Sequence, residues 1–140
     1  MAAELSNVAL QAVAPQANVL FAETPVRDCR GQIVHREGSG IVTLRGAPNG
    51  ARYKVSFGGN VAIPTGGTVG PISLAITIDG EPLGSATMIV TPTVVDAFFN
   101  VFGAVFVAVP CSCCVTIAVR NTTATAVDVT NANLIVERVA

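Results

Sequence analysis

The chain has 140 residues, of which 51% are hydrophobic and only 12% are charged, and its formal net charge is −1. One domain of this length can bury a core without metals or disulfides. A nearly neutral chain with no basic cluster has no electrostatic support for nucleic-acid binding. So few charges leave much apolar surface to be covered by something other than water, which favours an obligate oligomer.

The first 28 residues are predicted to form short strands ahead of the main domain. Two alternating runs, VALQAV and NVLFAE, are separated by Pro15, and TPVRD is typical of a turn. We expect residues 1–28 to form a strand pair or an arm that docks on a neighbouring molecule, and residues 29–140 to form the domain itself. Glu4 stands early and no basic segment precedes an apolar core, so no signal peptide is predicted and synthesis in a cytoplasm is expected.

From Gly31 onward, strand-like runs recur between turn signals, and no segment has a helical period over three turns. Asp79-Gly80 and the APNG segment at 47–50 predict hairpin turns. Eight to ten strands at this spacing predict an all-β antiparallel sandwich, in particular a jelly roll. The final strand is expected to pair in the middle of a sheet. The runs before the longest apolar stretch are GQIVHRE, GIVTLRG, ARYKVSFGGNVAI, TVGPISLAITIDGEPL and SATMIVTP.

The longest apolar stretch decides whether the chain enters a membrane. Between Asp96 and Arg120 lie 23 consecutive uncharged residues, enough for a transmembrane helix. Pro110 interrupts them, β-formers such as Val and Phe outnumber Leu, and neither end has a Lys/Arg cluster. We therefore predict two central β-strands joined as a hairpin by a turn at Pro110, and no membrane association.

The first of these strands alternates, yet both of its faces are apolar. Odd-numbered positions from Val101 to Val109 fall on one face, and Phe102, Ala104, Phe106 and Ala108 fall on the other. Such a strand needs two coverings, the core of its own domain and a partner subunit. The residues predicted to supply the core and the subunit interface, without assigning a face to each, are Val101, Phe102, Val105, Phe106 and Val107.

Three segments carry a resemblance to a known family: ARYKVSFGGNVAI (51–63), IDGEPLG (78–84) and residues 113–140. They resemble the trimeric TNF-like jelly roll, in the bacterial version found in C-terminal domains of spore-surface collagen-like glycoproteins. The segment VLFAETPVRDCRGQIVHREGSGIVTLRG is similar to small proteins of Firmicutes prophages and gut bacteria that have virion structural or decoration roles. This resemblance implies a homotrimer with apolar strands lining a three-fold axis. The collagen-like Gly-x-y stalk of the spore glycoproteins is absent.

Catalytic patterns are weak, and we expect no enzyme. The single histidine, His35, has Ser39 and Glu37 nearby in sequence, but residues so close on one strand do not form a triad unless the loop folds back. We interpret His35 as part of a polar cluster at a strand end. Asp79 and Glu81 flank a turn glycine and lack the further oxygen donors of a calcium site. No phosphate-binding or dinucleotide motif is present, and no cofactor is predicted.

The four cysteines are Cys29, Cys111, Cys113 and Cys114. Free, buried cysteines are the leading interpretation. A cross-link between Cys29 and one of the other three, within or between subunits, is the alternative in oxidising surroundings. Thiolate metal binding is a weaker alternative because the three clustered cysteines have no supporting histidine beside them in the sequence. A disulfide between the adjacent Cys113 and Cys114 is not expected. We therefore predict no metal site.

The sequence as a whole favours a structural self-assembly protein. With the resemblance, it predicts a homotrimeric capsid-decoration protein that is made in the bacterial cytoplasm and located in the virion. Its expected partners are the major capsid protein or neighbouring copies of itself. A filament or spore-appendage subunit at the cell or spore surface, linked by its arm and cysteines, is the first alternative. A receptor- or carbohydrate-binding module is the second. Five arginines are expected to form ion pairs with a neighbour or to lie in a solvated rim: Arg27, Arg30, Arg36, Arg45 and Arg52. The Asn121-Thr122-Thr123 acceptor pattern is interpreted as a polar turn.

Overall fold

A computed structural model describes residues 1–111 and 113–140, and every regular element in these residues is a β-strand. The predicted all-β antiparallel sandwich is confirmed, with eleven strands in place of the eight to ten expected. The strands are β1 (Ala2–Asn7), β2 (Gln11–Val13), β3 (Glu23–Val26), β4 (Ile33–His35), β5 (Val42–Arg45), β6 (Ala51–Ala62), β7 (Ile72–Ile78), β8 (Glu81–Val90), β9 (Phe99–Val109), β10 (Cys114–Asn121) and β11 (Val127–Arg138).

The strands form two antiparallel sheets. Sheet A has the order β3-β1-β11-β6-β9, with the short β2 also paired to β11. Sheet B has the order β4-β5-β10-β7-β8. The last strand, β11, lies between β1 and β6, as predicted for a terminal strand that closes the fold.

The core lies between the sheets, and the long strands of sheet A, β6, β9 and β11, alternate buried and accessible side chains along most of their length. In β6 every second residue from Ala51 to Val61 is buried, which is the period-2 pattern of a strand with one wet face. Phe21 lies in the segment between β2 and β3 and packs edge-to-face on Phe57 of β6, with ring centroids 6.3 Å apart. Both rings are fully buried. Apolar burial of this kind is the main favourable term in folding.

One of the two predicted hairpin turns is confirmed, and the other connects different sheets. Asp79 and Gly80 both have positive φ, 50° and 87°, and join the hydrogen-bonded neighbours β7 and β8. This is the backbone that Asp-Gly adopts in a tight hairpin. Residues 47–50 also form a turn, in which the Gly50 N–H donates to the Ala47 carbonyl at 2.8 Å. That turn carries the chain from sheet B to sheet A instead of closing a hairpin.

The predicted hairpin of two central strands is wrong. The stretch does form two strands, β9 and β10, but they belong to different sheets. β9 pairs only with β6 and is an edge strand of sheet A, whereas β10 lies at the centre of sheet B between β5 and β7. No element of the described chain is a helix long and apolar enough to cross a membrane.

Residues 1–28, which were predicted to form a strand pair or a docking arm, supply the strands β1, β2 and β3 of sheet A. β1 pairs with β11 from Ala2↔Glu137 to Asn7↔Ala132, and β3 pairs with β1. Leu5 of β1 is fully buried in the core. The boundary drawn at residue 28 therefore cuts through sheet A.

Candidate self-association surface and cysteine end

Strand β9 forms one open edge of the sandwich and presents a row of exposed phenylalanines. Its outer face carries Phe102 and Phe106, which are 66% and 67% exposed. The neighbouring outer positions, Ala104 and Ala108, are also exposed. Four of the six phenylalanines in the chain are exposed, and all four lie within nine residues: Phe98, Phe99, Phe102 and Phe106. A concentration of this kind marks a surface that another protein covers.

The part of sheet A next to Phe102 is shallow because its side chains are small. Across β6, Phe102 is paired with Gly58 and Ala104 with Ser56, whereas Phe106 is paired with the exposed Lys54. One strand further, Ser56 is paired with Ile135 of β11, which is also exposed. The outer face of sheet A therefore combines two projecting aromatic rings with a strip of small side chains beside Phe102. A partner of complementary shape could bury both.

The second sheet contributes apolar residues on the other side of the same edge. β8, the edge strand of sheet B, packs against β9, and its Met88 side chain fits into the space left by Gly103. Ile89 of β8 points outward and is 66% exposed, and Val94 in the following loop is 57% exposed. We call the exposed apolar residues along this edge of the sandwich the β8/β9 edge; they are Ile89, Val94, Phe98, Phe99, Phe102 and Phe106.

The five residues predicted for core and interface divide between the two faces of β9. Val101 and Val107 are in the core, at 6% and 1% exposure, and Val105 is partly buried against the core. Phe102 and Phe106 face outward. The alternation thus assigns the faces that the sequence left open, and the interface role of the two phenylalanines stays a prediction. The sequence interpretation missed Ile89, Val94, Phe98 and Phe99, although the FF pair after Asp96 interrupts the alternation and could have signalled them.

All four cysteines lie at one end of the sandwich, which we call the cysteine end. Cys29 is in the 27–32 connection that follows β3, and Cys111 is in the turn that follows β9. Cys114 begins β10, where it pairs with Arg45 at the end of β5. Two hydrogen bonds join the sheets here: the Tyr53 hydroxyl donates to the Arg45 carbonyl at 2.6 Å, and Arg138 donates to the Gln32 side chain at 3.0 Å.

The structure corrects the cysteine predictions. Cys113 and Cys114 form a disulfide, the pairing judged unfavourable from their adjacency. Cys29 and Cys111 are free thiols, so no cross-link joins Cys29 to the other three within the chain, and a link between subunits stays a prediction. None of the four is buried. Among the described residues no group of three or more potential metal ligands is close enough to hold an ion.

The turn that carries the disulfide is held against sheet B by Gly46. The Gly46 N–H donates to the Cys113 carbonyl at 2.9 Å. A Cβ at position 46 would stand 2.2 Å from the Pro110 carbonyl oxygen, so only glycine allows this approach.

The loop that carries Cys29 is organised by Asp28. Its carboxylate accepts hydrogen bonds from the backbone N–H groups of Arg30, Gln32 and Ile33, at 3.2, 2.8 and 3.0 Å. Partial burial raises the pKa of Asp28, but these hydrogen bonds outweigh it and hold the pKa below its ordinary value. The ionised carboxylate therefore stabilises this loop.

His35 lies in a polar cluster at a strand end, as predicted. Its Nε2 lies 2.8 Å from the Ser39 carbonyl, to which it donates, and its Nδ1 lies 2.8 Å from the Thr24 hydroxyl. The Ser39 hydroxyl accepts from the Ile41 N–H, and the hydrogen-bond partners of the ring are the Thr24 hydroxyl and the Ser39 carbonyl. The described residues around His35 thus lack the arrangement of a catalytic triad.

Asn121 is fully buried, which agrees with the polar-turn interpretation of its acceptor pattern. Its Nδ2 lies 3.0–3.3 Å from the carbonyls of Val13, Ala14 and Thr125, and its Oδ1 accepts from the Thr123 N–H at 3.0 Å. The side chain is therefore committed to joining the segment after β2 to the turn before β11. One of the five arginines, Arg27, forms a surface ion pair with Glu37 of the same chain.

No protein-family model matches the sequence, and neither does any curated protein. Solved structures do match. The chain is similar to the Eiger TNF of S. frugiperda, with a TM-score of 0.73 and 14% identity over 100% of this chain and 92% of that one. The globular domain of zebrafish complement 1qA protein matches with a TM-score of 0.67 and 11% identity, over 99% and 94%. Murine APRIL at pH 5.0 matches with a TM-score of 0.66 and 14% identity, over 98% and 99%. The chain therefore has the TNF- and C1q-like jelly-roll fold.

Proposed function

We propose that this chain is a structural protein that self-associates as a homotrimer through the β8/β9 edge, and that the trimer decorates the surface of a phage capsid. The observation that carries the proposal is the row of exposed phenylalanines on β9. A monomer with only 12% charged residues has too little polar surface to leave this row in water without cost.

Cyclic assembly with three copies suits the shape of the surface. In a ring, one patch of each subunit meets a different patch of the next, so a projecting edge can pack on a shallow face. The β8/β9 edge projects, and the strip of small side chains at Ser56, Gly58 and Ala104 lies beside it. The TNF-like resemblance of the sequence implies the same three-fold arrangement. If each subunit buries on the order of 1,000 Å², the trimer is in the obligate size class.

The first experiment measures the oligomeric state of the Phe102→Ser/Phe106→Ser double variant by sedimentation velocity in the presence of a thiol reductant. Burial of a phenylalanine contributes about 1.5–3 kcal/mol, so losing two at each interface weakens association by roughly 100-fold or more. We expect a trimer for the wild type and a monomer for the variant at micromolar concentration. Val26→Ser/Val34→Ser, which removes two exposed apolar side chains from β3 and β4 at the other edge, is the matched control and stays trimeric. A wild-type monomer, or a trimeric double variant, contradicts the proposal.

The second experiment tests whether the protein is located on phage particles. An antibody against the chain should label phage particles produced by the bacterium that encodes it, and the signal should vanish when the gene is deleted. The exposed outer strands leave room for contacts to an underlying lattice of capsid protein. Labelling confined to fibres or to the cell surface favours the filament subunit instead.

A further inference from the structure

The turn after β9 contains a free thiol next to a disulfide. Cys111 is a free, exposed cysteine, and two positions later begins the Cys113–Cys114 disulfide, whose two residues are also exposed. A thiolate is a nucleophile, and a disulfide sulfur is the electrophile it attacks. Each copy of the chain therefore has both reactants of a thiol–disulfide exchange at the same end of the sandwich.

We propose that this turn links copies of the chain covalently, with the Cys111 thiol of one copy attacking the Cys113–Cys114 disulfide of a second copy. The Cys111 thiolate forms a new S–S bond to Cys113, the Cys113–Cys114 bond breaks, and its electron pair leaves on the Cys114 sulfur. The proton lost by Cys111 is taken up by Cys114. One thiol is consumed and one is produced, so the reaction needs no oxidant.

Arg45 favours the Cys114 sulfur as the leaving group when the Cys113–Cys114 bond breaks. Cys114 and Arg45 are direct cross-strand partners of the antiparallel β5–β10 pair, and both side chains are exposed. Direct partners project on the same side of a sheet with Cβ atoms about 5 Å apart. A neighbouring cation stabilises a thiolate and makes it a better leaving group. Departure of the Cys114 sulfur, with attack on Cys113, is therefore favoured.

Self-association brings the cysteine-containing turns of two copies close to each other. Residues 99–109 of β9 lead directly into the turn, so copies that meet along the β8/β9 edge hold their cysteine ends near one another. The proposal rests on the proposed function for this proximity, whereas the exchange chemistry depends on the turn alone. The released Cys114 thiol is adjacent in sequence to the new bond and can reverse it. The link therefore persists only where non-covalent contacts keep the two copies together.

The experiment follows covalent products by non-reducing denaturing electrophoresis. Purified wild-type protein with its disulfide intact is concentrated in degassed, chelator-treated buffer and then quenched with N-ethylmaleimide. We expect dimers and higher species that collapse with reductant, and peptide mapping should identify Cys111 joined to Cys113. Cys111→Ser abolishes these species. Cys29→Ser, which removes the other free thiol at the same end, retains them. Arg45→Gln slows their formation about fivefold, whereas Arg45→Lys preserves the rate.

Trimer formation is measured separately, by sedimentation in reductant. A wild-type trimer that forms no covalent species without oxygen overturns the exchange and leaves the proposed function intact. Covalent species that persist in Cys111→Ser, or exchange confined to one chain, also overturn it. A protein that is monomeric in reductant contradicts the proposed function itself.

Discussion

One carboxylate, that of Asp28, and one side-chain amide, that of Asn121, stabilise irregular parts of this fold. Asp28 accepts three backbone hydrogen bonds in the connection after β3, and Asn121 joins two turns through four. Loops lack the repeating hydrogen bonds of a sheet, so buried backbone groups there need side-chain partners. These two residues supply them at opposite ends of the sandwich.

Asp28→Asn tests the first of these residues through its pH dependence. The folded-state pKa of Asp28 lies below its ordinary value, so the carboxylate contributes stability that is fully present above about pH 4 and is lost as the pH falls through the folded pKa. We expect the variant to lose about 1–2 kcal/mol of unfolding free energy at pH 7 and much less at pH 2.5. Urea denaturation at the two pH values measures this difference.

The control for Asp28 is Glu81→Gln, which neutralises an exposed carboxylate at the same end of the sandwich. Its effect on unfolding should be small at both pH values. If Asp28→Asn loses the same unfolding free energy at pH 7 and at pH 2.5, the contribution of Asp28 does not depend on its charge. The asparagine amide then destabilises the loop for steric reasons.

At the level of one element, the two faces of β9 have different roles: one packs in the core, and the other is proposed to dock on a neighbouring copy. Val107 faces the core at 1% exposure and Phe106, its neighbour, faces outward at 67%. Truncating each side chain therefore tests a different kind of burial.

Val107→Ala should lower the unfolding free energy by about 2–3 kcal/mol at every protein concentration, because it leaves a cavity inside each subunit. Phe106→Ala should have little effect on a dissociated subunit. Its destabilisation should grow with protein concentration, because only the assembled state buries that ring. Urea titrations at concentrations spanning a hundredfold, in reductant, separate the two. A concentration-independent loss for Phe106→Ala would falsify the docking role of the outer face.

The same strand shows which features the sequence can predict and which features it cannot. The alternation from Val101 to Val109 indicates a strand and separates its faces, because side chains alternate by a local rule. It does not indicate that β9 and β10 join different sheets, since pairing depends on partners as distant in sequence as Ala51. Nor does spacing predict the Cys113–Cys114 disulfide, because the bond between adjacent cysteines depends on the local backbone conformation. Asp79-Gly80 was predictable because its turn geometry is set by the two residues themselves.

At the scale of the whole molecule, folding and association are coupled if the β8/β9 edge is covered by another copy. The thermal midpoint should then rise by about 3 °C for each tenfold increase in protein concentration, measured by calorimetry in reductant. The Phe102→Ser/Phe106→Ser variant should have a midpoint that does not change with concentration. A constant midpoint for the wild type indicates a subunit that is stable alone.

The position of β11 has a further consequence, for the time course of synthesis. Sheet A has β11 between β1 and β6, and these partners are made long before it. Until residues 127–138 leave the ribosome, β1 and β6 each have an unpaired edge, and the core side of sheet A is open. Exposed edges of this kind invite pairing with other nascent chains. Productive folding of sheet A therefore waits until residues 127–138 have been made, and a stop codon that removes β11 should yield aggregates and no smaller domain.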